Sequence, residues 1–200
     1  FLKQPSFYFK NIDWKNPNHP IFRFIFFAIA ILSLIVMPLL SFDYGITWDE
    51  KIQRDYGKEI LKYYASGRKD TTLFDQTKHL YNTMINYGCS FDVLTGALHD
   101  KVLKKTDEFA LRHFFNAIMG CIAMLFTALI AKRIGSWQTG VIAFIFALLS
   151  PSFFGHSMNN PKDIPFAASY IFTIYQMMLF LQRLPRVKYS NLIGIAIGIG

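Results

Sequence analysis

The sequence predicts an all-α polytopic membrane protein, a bundle of transmembrane helices with a large first extracytoplasmic loop that bears amphipathic surface helices. Three observations predict this class. Hydrophobic residues make up 52% of the 200 residues and charged residues only 17%, below the roughly 25% of a soluble domain. The apolar residues form long blocks, and the formal net charge of +8 lies between those blocks. The apolar content excludes a disordered chain, and two cysteines, Cys89 and Cys121, are too few for a disulfide scaffold.

Five apolar blocks define the predicted spans, at 21–40, 114–131, 137–154, 164–181 and 189–200. About 20 apolar residues in a helix cross the ~30 Å hydrocarbon core of a bilayer. A cleaved signal peptide is the alternative for the first block, but no small-residue cleavage site follows it. The fifth block is still apolar where the sequence stops, so we expect this span and the protein to continue further.

The distribution of charge predicts the orientation of the spans. Basic residues exceed acidic residues in segment 1–20, in the loop 132–136 and in the loop 182–188, and short basic loops face the cytoplasm. Loops 41–113 and 155–163 each carry as many acidic as basic residues, which predicts that they lie outside. We favour a bacterial inner membrane, with these loops in the periplasm; in a eukaryotic protein they would face the ER lumen. The charge excess therefore indicates topology, and it gives no support to a nucleic-acid partner.

The first outer loop contains one clear amphipathic pattern. Ile52, Tyr56, Ile60 and Tyr63 recur at helical spacing, and basic side chains lie between them. This pattern predicts a helix over 51–64 that lies along the membrane surface and shapes a cavity there.

Two acidic motifs lie in the outer loops, at Gly45–Glu50 and at Asn159–Pro165. Two carboxylates at a membrane surface are able to activate a hydroxyl group or to hold a divalent cation. Helix capping is the alternative interpretation, because Thr47 and Glu50 have the spacing of a capping box and an acidic residue before Pro165 suits the start of a helix. Spacing favours capping for Glu50 and leaves both roles open for Asp49 and Asp163.

These motifs resemble a known family. The stretch Ile46–Glu50, directly after an N-terminal span, resembles the acidic motif in the first outer loop of GT-C glycosyltransferases. A second similarity is to the protein O-mannosyltransferase-like branch, which includes the aminoarabinose lipid A transferases. The second to fourth spans of that branch resemble, in their order of short motifs, the series Arg112, Ala131–Gly135, Gly140–Pro151 and Asp163–Phe166 of this sequence. The resemblance implies a GT-C helix bundle that transfers a sugar from a polyprenyl-phosphate donor to a protein, lipid or glycan acceptor at the extracytoplasmic face, with inversion.

The resemblance also implies roles for individual residues. Asp49 would be the general base that accepts a proton from the acceptor. Asp163, at the second acidic position, would be the other catalytic residue and would orient the acceptor or bind metal. The leaving phosphate needs positive charge nearby, for which Arg112 and Lys162 are the candidates. His156 is close enough in sequence to Asp163 to join it around a metal ion or phosphate, although a loop histidine bonded to the backbone is the plainer interpretation.

Glu50, Arg112, Lys162 and His156 are thus the predicted substrate-binding residues. The sequence identifies no cofactor beyond a possible divalent metal ion, whose candidate ligands are Asp49, Asp163 and His156.

Two other functions remain open from the sequence. A lipid or solute transporter or flippase would carry ionisable residues at mid-membrane depth, and the four complete spans contain only Arg23, near an end. A non-catalytic membrane assembly subunit would tolerate replacement of Asp49.

Overall fold

The chain is an all-α membrane protein, as predicted. The computed structural model describes residues 16–75, 77, 84, 86–182 and 187–199. Over these residues it contains helices and turns but no β-strand. Three of the helices are long and apolar enough to cross a membrane, and one bent helix pair makes a fourth candidate. The predictions for residues 1–15 and for residues 183–186 of the loop 182–188 fall outside the described residues.

Eight α-helices follow one another in the described part of the chain. They are α1 (Pro20–Leu40), α2 (Glu50–Ala65), α3 (Ser90–Lys101), α4 (Glu108–Ile134), α5 (Trp137–Leu149), α6 (Pro151–Asn159), α7 (Asp163–Gln182) and α8 (Val187–Ile199). Short 3₁₀ turns occupy Ser41–Asp43 and Thr72–Phe74.

Side-chain caps decide where some of these helices begin. The Asp107 carboxylate accepts a hydrogen bond from the Ala110 N–H at 2.7 Å, so α4 starts several residues before the apolar block that predicted the second span. The Ser136 hydroxyl accepts from the Thr139 N–H at 3.2 Å and starts α5 in the same way. Both residue types are favoured caps, because their oxygens satisfy N–H groups that have no partner inside the helix.

Helix α4 forms the centre of the bundle, because α1, α5, α6 and α7 all pack against it. The interior of this bundle is apolar. Its buried side chains are Phe22, Phe26, Met37, Ala117, Cys121, Met124, Ala128, Val141, Phe144 and Met158. The outward face of α1, by contrast, exposes large apolar side chains such as Phe24 and Leu32, as a lipid-facing helix does.

The third predicted span is not one straight helix. Helices α5 and α6 meet at an angle of 68°, with Ser150 in an extended conformation between them. Pro151 is the cause, because proline lacks an N–H and disfavours the α conformation in the residue before it. Helix α5 therefore ends at Leu149, inside the predicted span 137–154, and α6 continues into the predicted loop 155–163 as far as Asn159.

The predicted surface helix exists as α2, and it packs on α3. Tyr56 and Ile60 are buried against α3 and the turns around it, whereas Tyr64 is exposed. Gly57 permits the close approach, since a Cβ there would lie 2.7 Å from Cβ of Asp92. This packing holds the start of α2 over the start of α4, where the acidic motif of the first outer loop lies.

Candidate active site

The first acidic motif is fastened to the end of α6. The Asn159 side-chain amide donates a hydrogen bond to the Gly45 carbonyl at 3.0 Å. In the other direction, the Thr47 hydroxyl lies 3.3 Å from the Asn159 carbonyl oxygen and equally far from Oδ1 of Asp49, so it has one proton for two acceptors. Residues more than 100 positions apart in the sequence therefore meet at this point.

Asp49 is half-buried at the N-cap position of α2, yet its carboxylate accepts no capping hydrogen bond from the helix backbone. Its Oδ2 instead accepts a hydrogen bond from Nε2 of Gln53 at 2.8 Å, while Oδ1 faces the Thr47 hydroxyl. Gln53 itself is 1% exposed, so it is a fixed donor. The carboxylate is thus oriented by two side chains and remains open to solvent, which is what a general base requires.

Glu50 is fully buried and has a structural position. Its Oε2 accepts from the Thr47 backbone N–H at 2.8 Å, which is the glutamate half of the predicted capping box. The other half does not form, because the Thr47 hydroxyl points to Asp49 and α6. Nε2 of His113 lies 2.9 Å from Oε1 of Glu50 and 3.1 Å from Oε2. Since Glu50 is 0% exposed, the structure does not place it as the substrate-binding residue that we predicted.

Arg112 is not positioned to meet a leaving phosphate either. Its side chain is 1% exposed. Nη2 donates a hydrogen bond to Oδ1 of Asp92, and Nη1 donates to the Thr95 hydroxyl oxygen at 3.4 Å. We expected this guanidinium to lie at a span entrance and to face the donor. Because α4 starts at Glu108, Arg112 instead lies within the helix, on the side that packs against α3.

Three side chains on the first turns of α4 hold three neighbouring elements in place. Arg112 binds α3, and His113 binds the first residue of α2. The Asn116 amide donates to the backbone carbonyls of His156 and Ser157 in α6, both at 3.0 Å. Buried polar contacts of this kind fix one arrangement of the elements that they join, although Nε of Arg112 and Oδ1 of Asn116 have no hydrogen-bond partner among the described residues.

The second acidic motif is organised by Asn160. Its Oδ1 accepts from the Asp163 N–H at 3.1 Å, and its Nδ2 donates to Oδ2 of Asp163 at 3.0 Å. Asn160 therefore takes the capping role at the start of α7, and the Asp163 carboxylate is exposed. Nδ1 of the exposed His156 lies 3.3 Å from the same amide. The two acidic motifs thus meet at the adjacent residues Asn159 and Asn160.

A cleft of about 320 Å³ opens between the loop before α3 and the start of α7. It is lined by Asn86, Tyr87, Gly88, Ser90, Phe91, Asp92, Pro161, Lys162, Asp163, Pro165 and Phe166. Among the described residues, Lys162 is the one basic residue in this lining, and its Nζ lies 4.7 Å from the centre of the Tyr87 ring. Of the predicted site residues, Asp163 and Lys162 line the cleft, whereas Asp49 lies beside α6 and outside the lining.

The electrostatics of the cleft centre on Asp92. Burial raises the pKa of this carboxyl group to about 6, although the Arg112 guanidinium acts in the opposite direction and Glu50 adds a small repulsion. Burial and Asp92 also raise the pKa of the neighbouring Cys89 thiol. No group of three or more His, Cys, Asp or Glu side chains suited to a metal ion occurs among the described residues. The predicted metal ligands Asp49, Asp163 and His156 are therefore not gathered into such a group.

Sequence reasoning did not find Asp92, Tyr87, Phe91 or the anchoring role of Asn159. The signal for Asn159 was present, because this residue belongs to the second acidic motif. No comparable sequence motif marks Asp92 as a site residue. It follows a turn at Tyr87–Gly88, and only the fold brings it opposite α7.

Comparison with known proteins identifies the chain through its second half. Residues 97–200 match the family model described as dolichyl-phosphate-mannose-protein mannosyltransferase. The match includes Arg112, His156, Lys162 and Asp163 and stops short of Asp49. Searches of curated proteins and of solved structures gave no match. Because the matched segment covers more than half of the chain and the apolar helices agree with a membrane enzyme, the chain belongs to the dolichyl-phosphate-mannose-protein mannosyltransferase family, whose members are membrane glycosyltransferases.

Proposed function

We propose that this protein transfers a sugar from a polyprenyl-phosphate donor to a hydroxyl or amino group of a protein, lipid or glycan acceptor at the extracytoplasmic face of the membrane. One observation carries the proposal. The half-exposed Asp49 carboxylate is held by Gln53 and Thr47, and its loop is fastened beside the motif that contains Asp163.

In the proposed step, Asp49 accepts the proton of the acceptor O–H or N–H group. The acceptor atom then forms a bond to the anomeric carbon from the side opposite the phosphate, and the bond between that carbon and the phosphate oxygen breaks. The electron pair leaves with the polyprenyl phosphate, so the anomeric centre is inverted. A correctly positioned base contributes about 10²–10⁴-fold to such a step.

Lys162 is the better candidate for stabilising the leaving phosphate. It is partly exposed and lies in the cleft next to Asp163, whereas Arg112 is buried and bound to Asp92. Charge-assisted contacts to a leaving anion are among the largest contributions to group transfer. Asp163, which is exposed and held by Asn160, orients the acceptor in this proposal.

Replacement of Asp49 tests the proposal. The full-length protein is purified in detergent and assayed for sugar transfer from a polyprenyl-phosphate mannose donor, with Asp49→Asn beside the wild type. We expect kcat to fall by about 10²–10⁴-fold with an unchanged thermal midpoint, because the amide keeps the size of the side chain and removes the base.

Asp43→Asn is the matched control, since Asp43 is an exposed acidic residue in the same loop. It should keep wild-type activity. Full activity of a folded Asp49→Asn protein would remove Asp49 from the chemistry. A folded wild-type protein without transfer activity would instead favour an assembly or transport role.

A further inference from the structure

We propose that the cleft between the start of α3 and the start of α7 binds a sugar ring, with Tyr87, Phe91 and Phe166 against its apolar face and Asp163 on its hydroxyl groups. The inference deepens the proposed function, on which it rests, by adding Tyr87 and Phe91, which lie outside the family match and the acidic motifs, to Phe166 and Asp163 in one sugar-binding site.

The composition of the cleft lining suits a carbohydrate. Three aromatic side chains, Tyr87, Phe91 and Phe166, share about 320 Å³ with the carboxyl groups of Asp92 and Asp163. Ligand sites typically occupy about 300–1,000 Å³ and combine apolar walls with a few placed polar groups. A pyranose ring has the complementary chemistry, because one face presents C–H groups and the edge presents hydroxyls.

The aromatic side chains are available to a ligand. Phe166 is 57% exposed and Tyr87 is 47% exposed, although both belong to a concave surface. Lys162 lies over the Tyr87 ring, and Arg112 lies over the Phe91 ring with its Cζ 5.9 Å from the ring centre. Each cation covers one face of its ring and so fixes the orientation of that ring.

The polar groups are held in position before any ligand arrives. The Asp163 carboxylate is oriented by the Asn160 amide and the Asp92 carboxyl by the Arg112 guanidinium. An ionised carboxylate only accepts hydrogen bonds, so two oriented carboxylates suit a ligand rich in O–H donors. Prior orientation of the site lowers the entropic cost of binding.

The charge of the lining selects among sugars. Asp163 and Asp92 face one basic residue of the lining, Lys162, while Arg112 behind the wall neutralises Asp92. The described residues of the lining therefore carry little net charge and offer no cluster of basic groups to a carboxylate. A neutral sugar fits this lining better than a uronic acid does.

Binding to purified full-length Asp49→Asn protein tests the inference without depending on catalysis. Saturation-transfer difference NMR is recorded with methyl α-mannopyranoside, methyl α-glucopyranoside and methyl α-glucuronopyranoside as probes. We expect binding of at least one neutral glycoside and at least tenfold weaker binding of the glucuronide. Binding of none of the three, or a preference for the glucuronide, would overturn the proposal.

Phe166→Ala and Tyr64→Ala locate the binding. Both residues are exposed aromatics, 57% and 62% respectively, but Tyr64 lies on α2 outside the cleft. We expect Phe166→Ala to weaken glycoside binding at least fivefold with an unchanged thermal midpoint, and Tyr64→Ala to have no effect. Equal binding by both variants and the parent would place the sugar elsewhere and would overturn the cleft assignment.

A second comparison distinguishes whether the bound sugar belongs to the donor or to a glycan acceptor. The affinity of the same proteins for polyprenyl-phosphate mannose is measured against polyprenyl phosphate alone. If Phe166→Ala removes the preference for the mannosylated lipid, the cleft holds the donor sugar; if the preference stays and only the glycoside is lost, the cleft holds a glycan acceptor. Glycoside binding in the cleft of a wild-type protein without transferase activity would refute the proposed function and leave the sugar site standing.

Discussion

Nε2 of His113 lies 2.9 Å from Oε1 of Glu50, and both side chains are almost completely shielded from solvent, at 3% and 0% exposure. This contact joins the first residue of α2 to the second turn of α4. Glu50 also receives the Thr47 backbone N–H, so the same contact fixes the loop that presents Asp49. The base of the proposed reaction is thus positioned through a buried pair that does not itself meet substrate.

His113→Ala should destabilise the protein strongly. Without the imidazole the Glu50 carboxylate stays buried with one partner fewer, and breaking a buried pair from one side costs about 3–5 kcal/mol. Lys62→Ala is the control, because it breaks an exposed pair with Glu59 that is worth about 0–1 kcal/mol. Unfolding of both variants in detergent, followed by circular dichroism, measures the difference. Equal stabilities of the two variants would show that the Glu50–His113 contact contributes little.

The close packing of α4 against α6 at Gly120 should make the protein sensitive to added volume there. A Cβ on Gly120 would lie 2.5 Å from Cβ of Ser157, so Gly120→Ala should destabilise the protein by about 1–3 kcal/mol through overpacking. Ser157→Gly removes the clashing atom. We therefore expect the Gly120→Ala, Ser157→Gly double variant to be more stable than the sum of the two single changes implies, as a double-mutant cycle would measure. Strict additivity would contradict this close approach.

The helices could be predicted from the sequence because apolar blocks are long and local, and three of the predicted spans coincide with helices long and apolar enough to cross a membrane. The two acidic motifs are also visible in the sequence, since Asp49 and Asp163 each lie beside a predicted span, and their catalytic roles stay predictions. The bend at Ser150 was readable in principle from Pro151, but an uninterrupted apolar block concealed it. The burial of Glu50 and Arg112 could not be read from the sequence, because it depends on how α2 and α3 pack on α4.

The cleft is formed by two segments that are far apart in the sequence. Tyr87 and Asp92 lie in the first outer loop, and Phe166 lies in α7. No periodicity or spacing within either segment indicates the other, so only the three-dimensional structure reveals their common surface. The same holds for the contact of Asn159 with Gly45, which unites the two acidic motifs.

The reactivity of Cys89 should be low at mildly alkaline pH. Burial and the Asp92 carboxylate raise the pKa of its thiol, and only the thiolate reacts with iodoacetamide. In a Cys121→Ala background, the rate of alkylation should reach half its maximum at a higher pH than for a free cysteine. Adding Asp92→Asn should move that midpoint down, though not fully, because burial is the larger cause. A midpoint at or below that of free cysteine would contradict the environment described here.

Asp92 should make stability depend on pH in a particular direction. The pKa of this carboxyl group is about 6 in the folded protein against 3.8 as its ordinary value, so between these values the folded state binds a proton that the unfolded chain has lost. The contribution of Asp92 to stability therefore falls as pH rises from about 4 to 6.

Asp92→Asn supplies the reference for this measurement, because the amide does not titrate. The free energy of unfolding of the wild type minus that of Asp92→Asn should decrease by roughly 2–3 kcal/mol between pH 4 and pH 7. Chemical denaturation in a detergent stable over this range measures both proteins. A difference that increases with pH would mean that the Arg112 contact outweighs burial and holds the pKa of Asp92 below its ordinary value.

Gln53 should act on the proposed reaction through Asp49. Its Nε2 donates to Oδ2 of Asp49 at 2.8 Å from a buried position, so Gln53→Leu keeps the apolar volume of the side chain and removes the bond that orients the carboxylate. Loss of orientation affects the transition state more than substrate binding, and we expect kcat to fall about tenfold while KM for the donor stays within about twofold. Ile52→Leu, on the neighbouring position of α2, is the control. If Gln53→Leu lowered only the thermal midpoint and left kcat per folded molecule unchanged, Gln53 would have a structural role alone, and the orientation of Asp49 would depend on Thr47.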